Sequence, residues 1–357
     1  MPELNQAKRD AFVGRMIGMV NQATLALMTS IGRQTGLFEA MAMLPPSTST
    51  EIARAAGLQE RYVREWLGAM VTGGIIEYDP GAVTYALPPE YAAALTNAAG
   101  PRNLARFTQF IPLLAEVEAD IIESFRQGGG VPYAKYPRFQ AVMAEASGLR
   151  FDHLLIDKIV PLTGIGAALD HGIEVLEIGC GQGHALNLLA HAFPRSRFSG
   201  YDISDGGVAA ARAEARALGN ANVRFEVRDV AALDEPARYD LITAFDVIHD
   251  QAQPAAVLKG VARALAPEGR FLMVDIRASS NLHENAAHPF GPFLYGVSTM
   301  HCMTVSLALN GAGLGAVWGE QQALAMLNEA GFGGVDVHRL ADDPLNNYYV
   351  ARVGCED

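Results

Sequence analysis

The sequence predicts an α/β protein, with a Rossmann-like doubly wound seven-stranded sheet behind an all-helical and winged-helix N-terminal part. From Ile173 onward, short apolar runs typical of buried strands alternate with helical patterns, which indicates a largely parallel sheet covered on both faces. A glycine-rich turn follows the first of these runs, at the place where doubly wound sheets bind ligands. The first ninety residues instead show helical patterns followed by a small hairpin.

The first helical pattern is unusually poor in charge. Phe12, Met16 and Met19 fall at helical spacing, and residues 16–32 contain no charged side chain. The polar residues within this stretch, such as Asn21 and Thr24, argue against a lipid-facing span. We therefore expect a helix that is covered by protein, in the interface of a homodimer.

A winged helix is expected next. Thr50 is the predicted N-cap of a short helix that ends at Gly57, and a second helix covers residues 60–72. Two β-like runs, "IIEY" and "VTYAL", then flank the turn "DPGA". Winged helices often bind DNA, but the two arginines of the second helix have acidic neighbours, so we favour a packing and dimerisation module.

Composition restricts the class of partner. The 39 acidic residues outnumber the 27 basic ones, and the resulting net charge of −12 disfavours nucleic acid. The N-terminus lacks the ordered pattern of a secretory signal, and Cys180, Cys302 and Cys355 form neither a disulfide framework nor a zinc-binding spacing. We expect a cytoplasmic protein with no membrane and no nucleic-acid partner.

Changes in the sequence pattern divide the chain into three expected regions. Residues 1–100 form the helical and winged-helix domain, residues 101–170 a helical linker that contributes to the ligand pocket, and residues 171–357 the sheet domain. Within the last region, segment 277–319 interrupts the strand and helix alternation. It is too long for an ordinary connection and is rich in His, Gly and aromatic residues, which predicts a lid over the site.

The strongest local signal is "VLEIGCGQGHALNLLA", in which Gly179, Gly181 and Gly183 follow a strand and precede a helix. Such glycines let the backbone approach a ligand closely, and the helix N-terminus adds partial positive charge. Two details argue against a dinucleotide. The pattern G-x-G-x-G has His184 where the last glycine of G-x-G-x-x-G would stand, and Glu177 would repel a pyrophosphate.

Carboxylates follow the next two strands. Asp202 ends "FSGYD", about twenty residues after the glycines, where a carboxylate can accept both hydroxyls of a ribose. Asp229 follows "VRFEV", and it is placed to meet an adenine edge.

Together these motifs resemble the class I S-adenosylmethionine-dependent methyltransferases over residues 173–353. In that family the acid before the glycines neutralises the methionine end, the second-strand acid binds ribose and the third-strand Asp contacts adenine. The resemblance implies these three roles for Glu177, Asp202 and Asp229, with Val230 and Phe245 beside the cofactor. It also implies S-adenosyl-L-methionine as the cofactor.

The stretch "AFDVIHDQAQP" places titratable residues at the exit of the fourth strand, next to the ligand crevice. Small-molecule O-methyltransferases with an N-terminal winged helix show a similar His-Asp step, whose His is the general base. The resemblance implies that role for His249, beside Asp250. The alternative is a structural role, in which His249 packs in the loop or caps the helix that begins at Pro254.

A second resemblance implies a metal. A metal-dependent branch that C-methylates 2-oxo acids holds a ferric ion with a His at this step and a second His after the fifth strand. It implies a divalent or ferric ion held by His249, Asp250 and His301, with His283 or His288 as substitutes. Neighbouring side chains point apart unless the loop bends, so Asp250 could instead only orient a ligand.

The expected activity is methyl transfer to a hydroxyl or an acidic carbon of a small organic acceptor. Phe139, Phe293, Tyr295, His301 and Trp318 are expected to line the acceptor pocket, although core packing is the default role for most of them. Two alternatives stay open at this point. One is the metal-dependent C-methyltransferase, and the other is a DNA-binding regulator that senses S-adenosylmethionine.

Overall fold

The computed structural model describes residues 4–354, without the side chains of residues 101 and 102. Cys355, one of the three cysteines, lies outside these residues. The chain forms two compact units, Met1–Ala115 and Glu116–Asp357. Among the described residues, no helix combines the length and the apolar character needed to cross a lipid bilayer.

The N-terminal unit is helical with one hairpin. Its helices are α1 (Gln6–Gln34), α2 (Leu37–Ala42), α3 (Ser49–Ala56), α4 (Glu60–Thr72), α5 (Pro89–Leu95) and α6 (Phe110–Ala115), with 3-10 turns at Asn97–Arg102 and Leu104–Gln109. The antiparallel hairpin consists of β1 (Glu77–Asp79) and β2 (Thr84–Ala86). Phe38 and Trp66 meet edge to face at 5.4 Å in the core of this unit. Helix, turn, helix and hairpin form the predicted winged helix.

The predicted cap of α3 is wrong by two residues. Thr48, and not Thr50, is the N-cap: its hydroxyl accepts the Glu51 N–H, and the Glu51 carboxylate accepts the Thr48 N–H. This reciprocal capping box satisfies two backbone donors that would otherwise have no partner within the helix. Gly57 ends the helix in the left-handed conformation, as predicted.

The first half of α1 exposes an apolar face in the isolated chain. Six large apolar side chains there are between 41% and 63% exposed: Phe12, Val13, Met16, Ile17, Met19 and Val20. On α4, by contrast, the arginines are paired within the helix, Arg61 with Glu65 and Arg64 with Glu60. This pairing weakens the DNA-binding alternative, because phosphate recognition needs cations that neighbouring carboxylates do not already neutralise.

The second unit carries a seven-stranded sheet in the order β5-β4-β3-β6-β7-β9-β8, as the fold class predicts. Strands β3 to β7 are parallel, and β9 pairs antiparallel with both of its neighbours, β7 and β8. The strands are β3 (Glu174–Ile178), β4 (Arg197–Asp202), β5 (Val223–Val227), β6 (Tyr239–Phe245), β7 (Leu265–Ile276), β8 (Phe332–Leu340) and β9 (Asp343–Val353).

Helices cover both faces of this sheet. The helices of the second unit are α7 (Glu118–Gln127), α8 (Phe139–Leu154), α9 (Val160–Leu162), α10 (Gly166–His171), α11 (His184–Ala192), α12 (Asp205–Leu218), α13 (Pro254–Ala264), α14 (Leu282–Asn285), α15 (Gly291–Val297), α16 (Met303–Ala308) and α17 (Gly319–Glu329). Val175 and Leu176 of β3 are both fully buried, in different core clusters, because successive side chains of a strand point to opposite faces.

The strand order locates the ligand crevice. Strand β3 pairs with β4 on one side and with β6 on the other, so the chain reverses direction across the sheet at β3. In doubly wound folds, ligands bind outside the carboxyl ends of the strands at such a switch point. The segment 277–319 follows β7 and is largely helical, containing α14, α15, a π-helical turn at Ser298–Cys302 and α16.

Candidate active site

The turn after β3 requires glycine. Gly179 and Gly183 have φ angles of +63° and +75°, in the left-handed region. A Cβ atom on Gly179 would lie 2.6 Å from the Val247 side chain, and one on Gly183 would lie 2.5 Å from Ala211. Gly181, between them, also has a positive φ but faces open space. The turn is therefore packed tightly against Val247 and Ala211 and is open at Gly181, where a ligand would approach.

Two carboxylates lie beside this turn. Glu177 is only 4% exposed, and its Oε2 has no hydrogen-bond partner among the described residues. Burial, together with the charge of Asp202, raises the pKa of Glu177 to about 8. Asp202 accepts the Gly181 N–H on its Oδ2 at 2.7 Å, which ties the end of β4 to the glycine turn.

The remaining expected cofactor residues lie at the next strand ends. Asp229 is the N-cap of a short 3-10 helix, and its Oδ1 accepts the Ala231 N–H at 2.9 Å. Val230 is buried in the core, so its backbone rather than its side chain borders the crevice. Phe245 ends β6, and its ring meets that of Phe151 at 4.9 Å.

The His-Asp step forms a compact turn at the exit of β6. Asp246 has a φ of +57°, and a 3-10 turn over Ile248–Asp250 follows it. His249 is 3% exposed, and its Nδ1 lies 2.8 Å from Oδ1 of Asp275, which is 1% exposed. When His249 Nδ1–H donates to this carboxylate, the Nε2 lone pair is left to take a proton.

Adjacent side chains were expected to point apart unless the loop bends, and at His249 and Asp250 the loop does bend. The 3-10 turn bends the loop, and His249 Nε2 lies 3.3 Å from Asp250 Oδ1. Burial by itself would lower the pKa of His249. The carboxylates of Asp275 and Asp250 outweigh it and raise the pKa of His249 well above its usual value.

Cys302 completes a trio with these two residues. Its thiol is buried beside both residues, and one potential ligand atom from each of the three lies within 4.8 Å of the others. Burial, then the charge of Asp250, raises the pKa of the thiol to about 12. The sequence interpretation placed His301 in this position, whereas His301 Nδ1 lies 4.0 Å from Asp250 Oδ2.

His301 occupies an aromatic cage. It is wholly buried, and neither of its ring nitrogens has a hydrogen-bond partner among the described residues. Phe139 stacks parallel to its ring with centroids 3.3 Å apart, while Tyr133 and Tyr136 meet it edge-on at 5.2 and 4.8 Å. Burial and the neighbouring His249 lower the pKa of His301 to about 3, so this imidazole is neutral.

The other expected lining residues make contacts of a different kind. Trp318 is 3% exposed within the largest core cluster, which gives it a packing role instead of a place in the pocket. Phe293 meets the ring of Phe290 at 6.5 Å, and the Tyr295 hydroxyl accepts a hydrogen bond from Asn285. Among the substitute ligands, His283 has a side chain that is 81% exposed, and His288 Nδ1 accepts the Phe290 N–H.

Family models match both units of the chain. The methyltransferase domain model matches residues 169–331, and the model of the Rv2258c-like winged HTH domain matches residues 23–97. The chain therefore contains a methyltransferase domain that follows an N-terminal winged helix-turn-helix domain.

Several curated relatives of the chain are methyltransferases that are named after different acceptors. Trans-aconitate 2-methyltransferase from Methylobacterium nodulans is 35% identical over 111 residues, which are 31% of this chain and 40% of that protein. The chain spans about two-fifths of the length of the first curated relatives that it matches.

Two solved structures share the fold over almost their whole length. Mitomycin 7-O-methyltransferase has a TM-score of 0.67 and 20% identity, covering 98% of this chain and all of that chain. Human N-acetylserotonin methyltransferase in complex with S-adenosylmethionine has a TM-score of 0.69 and 14% identity, covering 99% of each chain. At these identities the likeness shows the fold alone.

The sequence interpretation missed four residues of the second unit: Tyr133, Tyr136, Asp275 and Cys302. Asp275 carried a usable signal, because an acid near the end of "RFLMVDI" lies beside the end of β6 in any sheet of this order. Burial and the charges of Asp250 and Asp202 raise the pKa of the Tyr133 hydroxyl. Tyr133 therefore lies close enough to both carboxylates to feel their charge, and its ring contacts His301.

Proposed function

We propose that the protein transfers a methyl group from S-adenosylmethionine to a hydroxyl or an acidic carbon of a small organic acceptor. The observation that carries this proposal is the buried carboxyl of Glu177 beside the glycine turn, which opens at Gly181. Its Oε2 has no hydrogen-bond partner among the residues that the structure describes. A buried carboxyl without a partner is costly unless a ligand satisfies it. The ammonium of a methionine moiety is a fitting partner.

The other strand ends also fit this cofactor. Asp202 holds the glycine turn through Oδ2 and keeps lone pairs that can accept ribose hydroxyls, and Asp229 stands at the next strand end for the adenine edge. When bound, S-adenosylmethionine supplies a methyl group on a positively charged sulfur, which is already activated for displacement. The chain must therefore align the acceptor and remove its proton.

His249 is the proposed general base. Asp275 accepts the Nδ1–H and fixes the tautomer of the neutral ring, whose Nε2 takes the proton of the acceptor, and it stabilises the imidazolium that forms. Because the neighbouring carboxylates raise the pKa of His249, the neutral fraction that can act as the base increases as the pH rises. Both residues are buried, so water does not compete for this proton. Asp250, on the Nε2 side of the ring, orients the acceptor or accepts the proton next.

The cage around His301 is the proposed acceptor site. A neutral imidazole with two unpartnered nitrogens offers one donor and one acceptor to a polar group of the substrate. Phe139 and the two tyrosines surround it with the apolar walls that small-molecule pockets usually have. The small organic acceptors in the names of its relatives are in keeping with a pocket of this kind.

A labelled-methyl assay tests the proposal. Wild-type protein is incubated with S-adenosylmethionine labelled in its methyl group and a panel of small phenols, hydroxyquinones and 2-oxo acids. We expect label in at least one acceptor. His249→Ala should lower turnover by about two to four orders of magnitude while S-adenosylhomocysteine still binds. Equal turnover in wild type and His249→Ala would contradict the role of the base, and no label with any acceptor would contradict the activity.

The trio of His249, Asp250 and Cys302 favours a second candidate, a metal-dependent C-methyltransferase of 2-oxo acids. An ion held there would keep open positions for a chelating oxo acid, and it would polarise the carbonyl. Thiolate, imidazole and carboxylate together suit a transition metal better than Mg²⁺ or Ca²⁺. His301, 4.0 Å from Asp250, would complete the donors or contact the substrate.

Elemental analysis separates the two candidates. If the trio holds a metal, wild-type protein should contain about one ion per chain, and His249→Ala and Cys302→Ala should both lose it together with the activity. Chelation should then inactivate the wild type, and one divalent or ferric ion should restore it. An active enzyme that is free of metal and insensitive to chelators would eliminate this candidate and leave the general base.

We also propose that the protein works as a homodimer in the cytoplasm. The apolar face of α1 supports the dimer, because soluble proteins rarely leave a continuous patch of this kind uncovered. Cys180 and Cys302 are free and buried, which is in keeping with a reducing compartment.

A further inference from the structure

Helix α8 reaches the expected cofactor cleft at three points. Three polar contacts join it to the segments that follow β3, β4 and β6: His184–Asp152, Ser204–Gln140 and Asp246–Arg150. Each of these segments directly follows residues that we expect to hold the cofactor, the glycine turn, Asp202 and Phe245. Helix α8 is therefore fastened along the rim of the crevice.

The contact at His184 differs from the other two because its cation can lose its charge near neutral pH, whereas the arginine of the Arg150–Asp246 pair cannot. His184 is the first residue of α11, directly after the glycine turn. Its Nε2 lies 2.8 Å from Asp152 on α8, and its Nδ1 contacts Glu214 on α12. Asn187 donates a second hydrogen bond to Glu214, which holds the α12 carboxylate in place.

This geometry requires a protonated ring. Carboxylates accept hydrogen bonds, and a neutral imidazole has only one N–H to donate, so both bonds exist together only in the imidazolium. The hydrogen bond to Glu214, opposed by burial and joined by the bond to Asp152, raises the pKa of His184 to about 9. Glu177 on β3 is a further acidic group whose charge interacts with that of His184.

We propose that His184, as an imidazolium, is a positioning residue that holds α8 closed over the cofactor cleft and thereby slows the loss of cofactor. The inference rests on the proposed function, because it assumes that the cleft binds S-adenosylmethionine. It explains why a histidine stands at the position where a dinucleotide-type pattern would have glycine. Neither Asp152 nor His184 touches the reacting atoms in this scheme.

The charge of His184 makes the closure depend on pH. Opening of α8 would break only the bond from His184 to Asp152, while the bond to Glu214 on α12 would remain, so the pKa of the open form lies between its ordinary value and the value of about 9 in the closed form. The contribution of the Asp152 contact to closure is therefore complete at a pH below the pKa of the open form and is lost as the pH rises through about 9. Because the side chains of His184 and Asp152 are 29% and 47% exposed, solvent weakens the effect, and we expect a change of about threefold to tenfold.

Calorimetric binding of S-adenosylhomocysteine at pH 6.5, 7.5 and 9 tests the inference. His184→Gln keeps a polar side chain without charge, His184→Arg keeps the charge at every pH, and His191→Gln is a matched control on the exposed end of α11. At pH 6.5, His184→Gln should bind about threefold to tenfold more weakly than the wild type. His184→Arg should restore the affinity. The affinity of the wild type relative to His184→Arg should fall as the pH rises to 9, and His191→Gln should follow the wild type.

Amide hydrogen exchange without ligand gives an independent measure. Residues 139–154 should exchange faster in His184→Gln and in Asp152→Asn than in wild type at pH 6.5, while the strands of the sheet exchange equally. Unchanged exchange in α8 would overturn the inference. Equal affinity of the wild type and His184→Gln for S-adenosylhomocysteine at pH 6.5 would overturn it too. If the wild type itself bound no S-adenosylhomocysteine at millimolar concentration, the proposed function would fail instead, and the exchange data would still decide whether His184 fastens α8.

Discussion

Protonation of Glu177 should be visible in cofactor binding. With a pKa of about 8, about nine-tenths of this buried carboxyl is protonated at pH 7 in the free protein. An ammonium group placed beside it favours the ionised form. Binding of S-adenosylhomocysteine should therefore release about 0.9 proton at pH 7, about 0.5 at pH 8 and almost none at pH 9.5.

The affinity should follow the same titration. Between pH 6 and 7 the ionised fraction rises about tenfold, so the dissociation constant should fall about tenfold, and it should level off above pH 8. Glu177→Gln removes both the titration and the charge that attracts the ammonium. The variant should bind about tenfold to a hundredfold more weakly at pH 8, with no release of protons from this position.

Titration calorimetry in two buffers of different ionisation enthalpy measures the released protons directly. His184 is present in both proteins, so the difference between wild type and Glu177→Gln reports on Glu177. A wild type whose binding enthalpy at pH 7 is the same in both buffers would refute the reasoning. Equal proton release by Glu177→Gln would refute it too, because the proton would then come from another group.

Three further predictions follow from the site and from α1. Asp275→Asn should lower turnover by about two orders of magnitude and leave the dissociation constant of S-adenosylhomocysteine within about twofold, and an unchanged turnover would argue against an orienting carboxylate. His301→Ala should raise KM for the acceptor about tenfold or more without changing cofactor binding, and equal KM values would remove His301 from the acceptor site. Light scattering should give twice the mass of one chain for the wild type and a smaller mass for Ile17→Asp, whereas a wild-type monomer at micromolar concentration would overturn the dimer.

The strands and the glycine turn could be predicted because each depends on local sequence. A run such as "VLEI", with apolar residues at three of its four positions and all four side chains buried, indicates a central parallel strand. The cap of α3 was also available from local sequence, since Thr48 and Glu51 have the spacing of a capping box. It was missed because Thr50 also precedes an apolar run.

The contacts of the site depend on long-range geometry instead. Asp275 reaches His249 only because β7 lies beside β6, and Cys302 reaches it because a π-helical turn in the long insert faces the crevice. The extra residue of a π-helical turn shifts the phase of the helix, so the inward side chains could not be read from a regular helical spacing. His301 and Cys302, although adjacent, therefore both lie buried beside the His-Asp step.

The central claim, that the ends of β3, β4 and β5 hold S-adenosylmethionine, is tested most directly by thermal unfolding with added ligand. S-Adenosylhomocysteine at millimolar concentration should raise the unfolding midpoint of the wild type, because it binds the folded state. The shift should be absent in Asp202→Ala, and NADH should produce none in either protein. No shift in the wild type, or an equal shift in Asp202→Ala, would contradict the account.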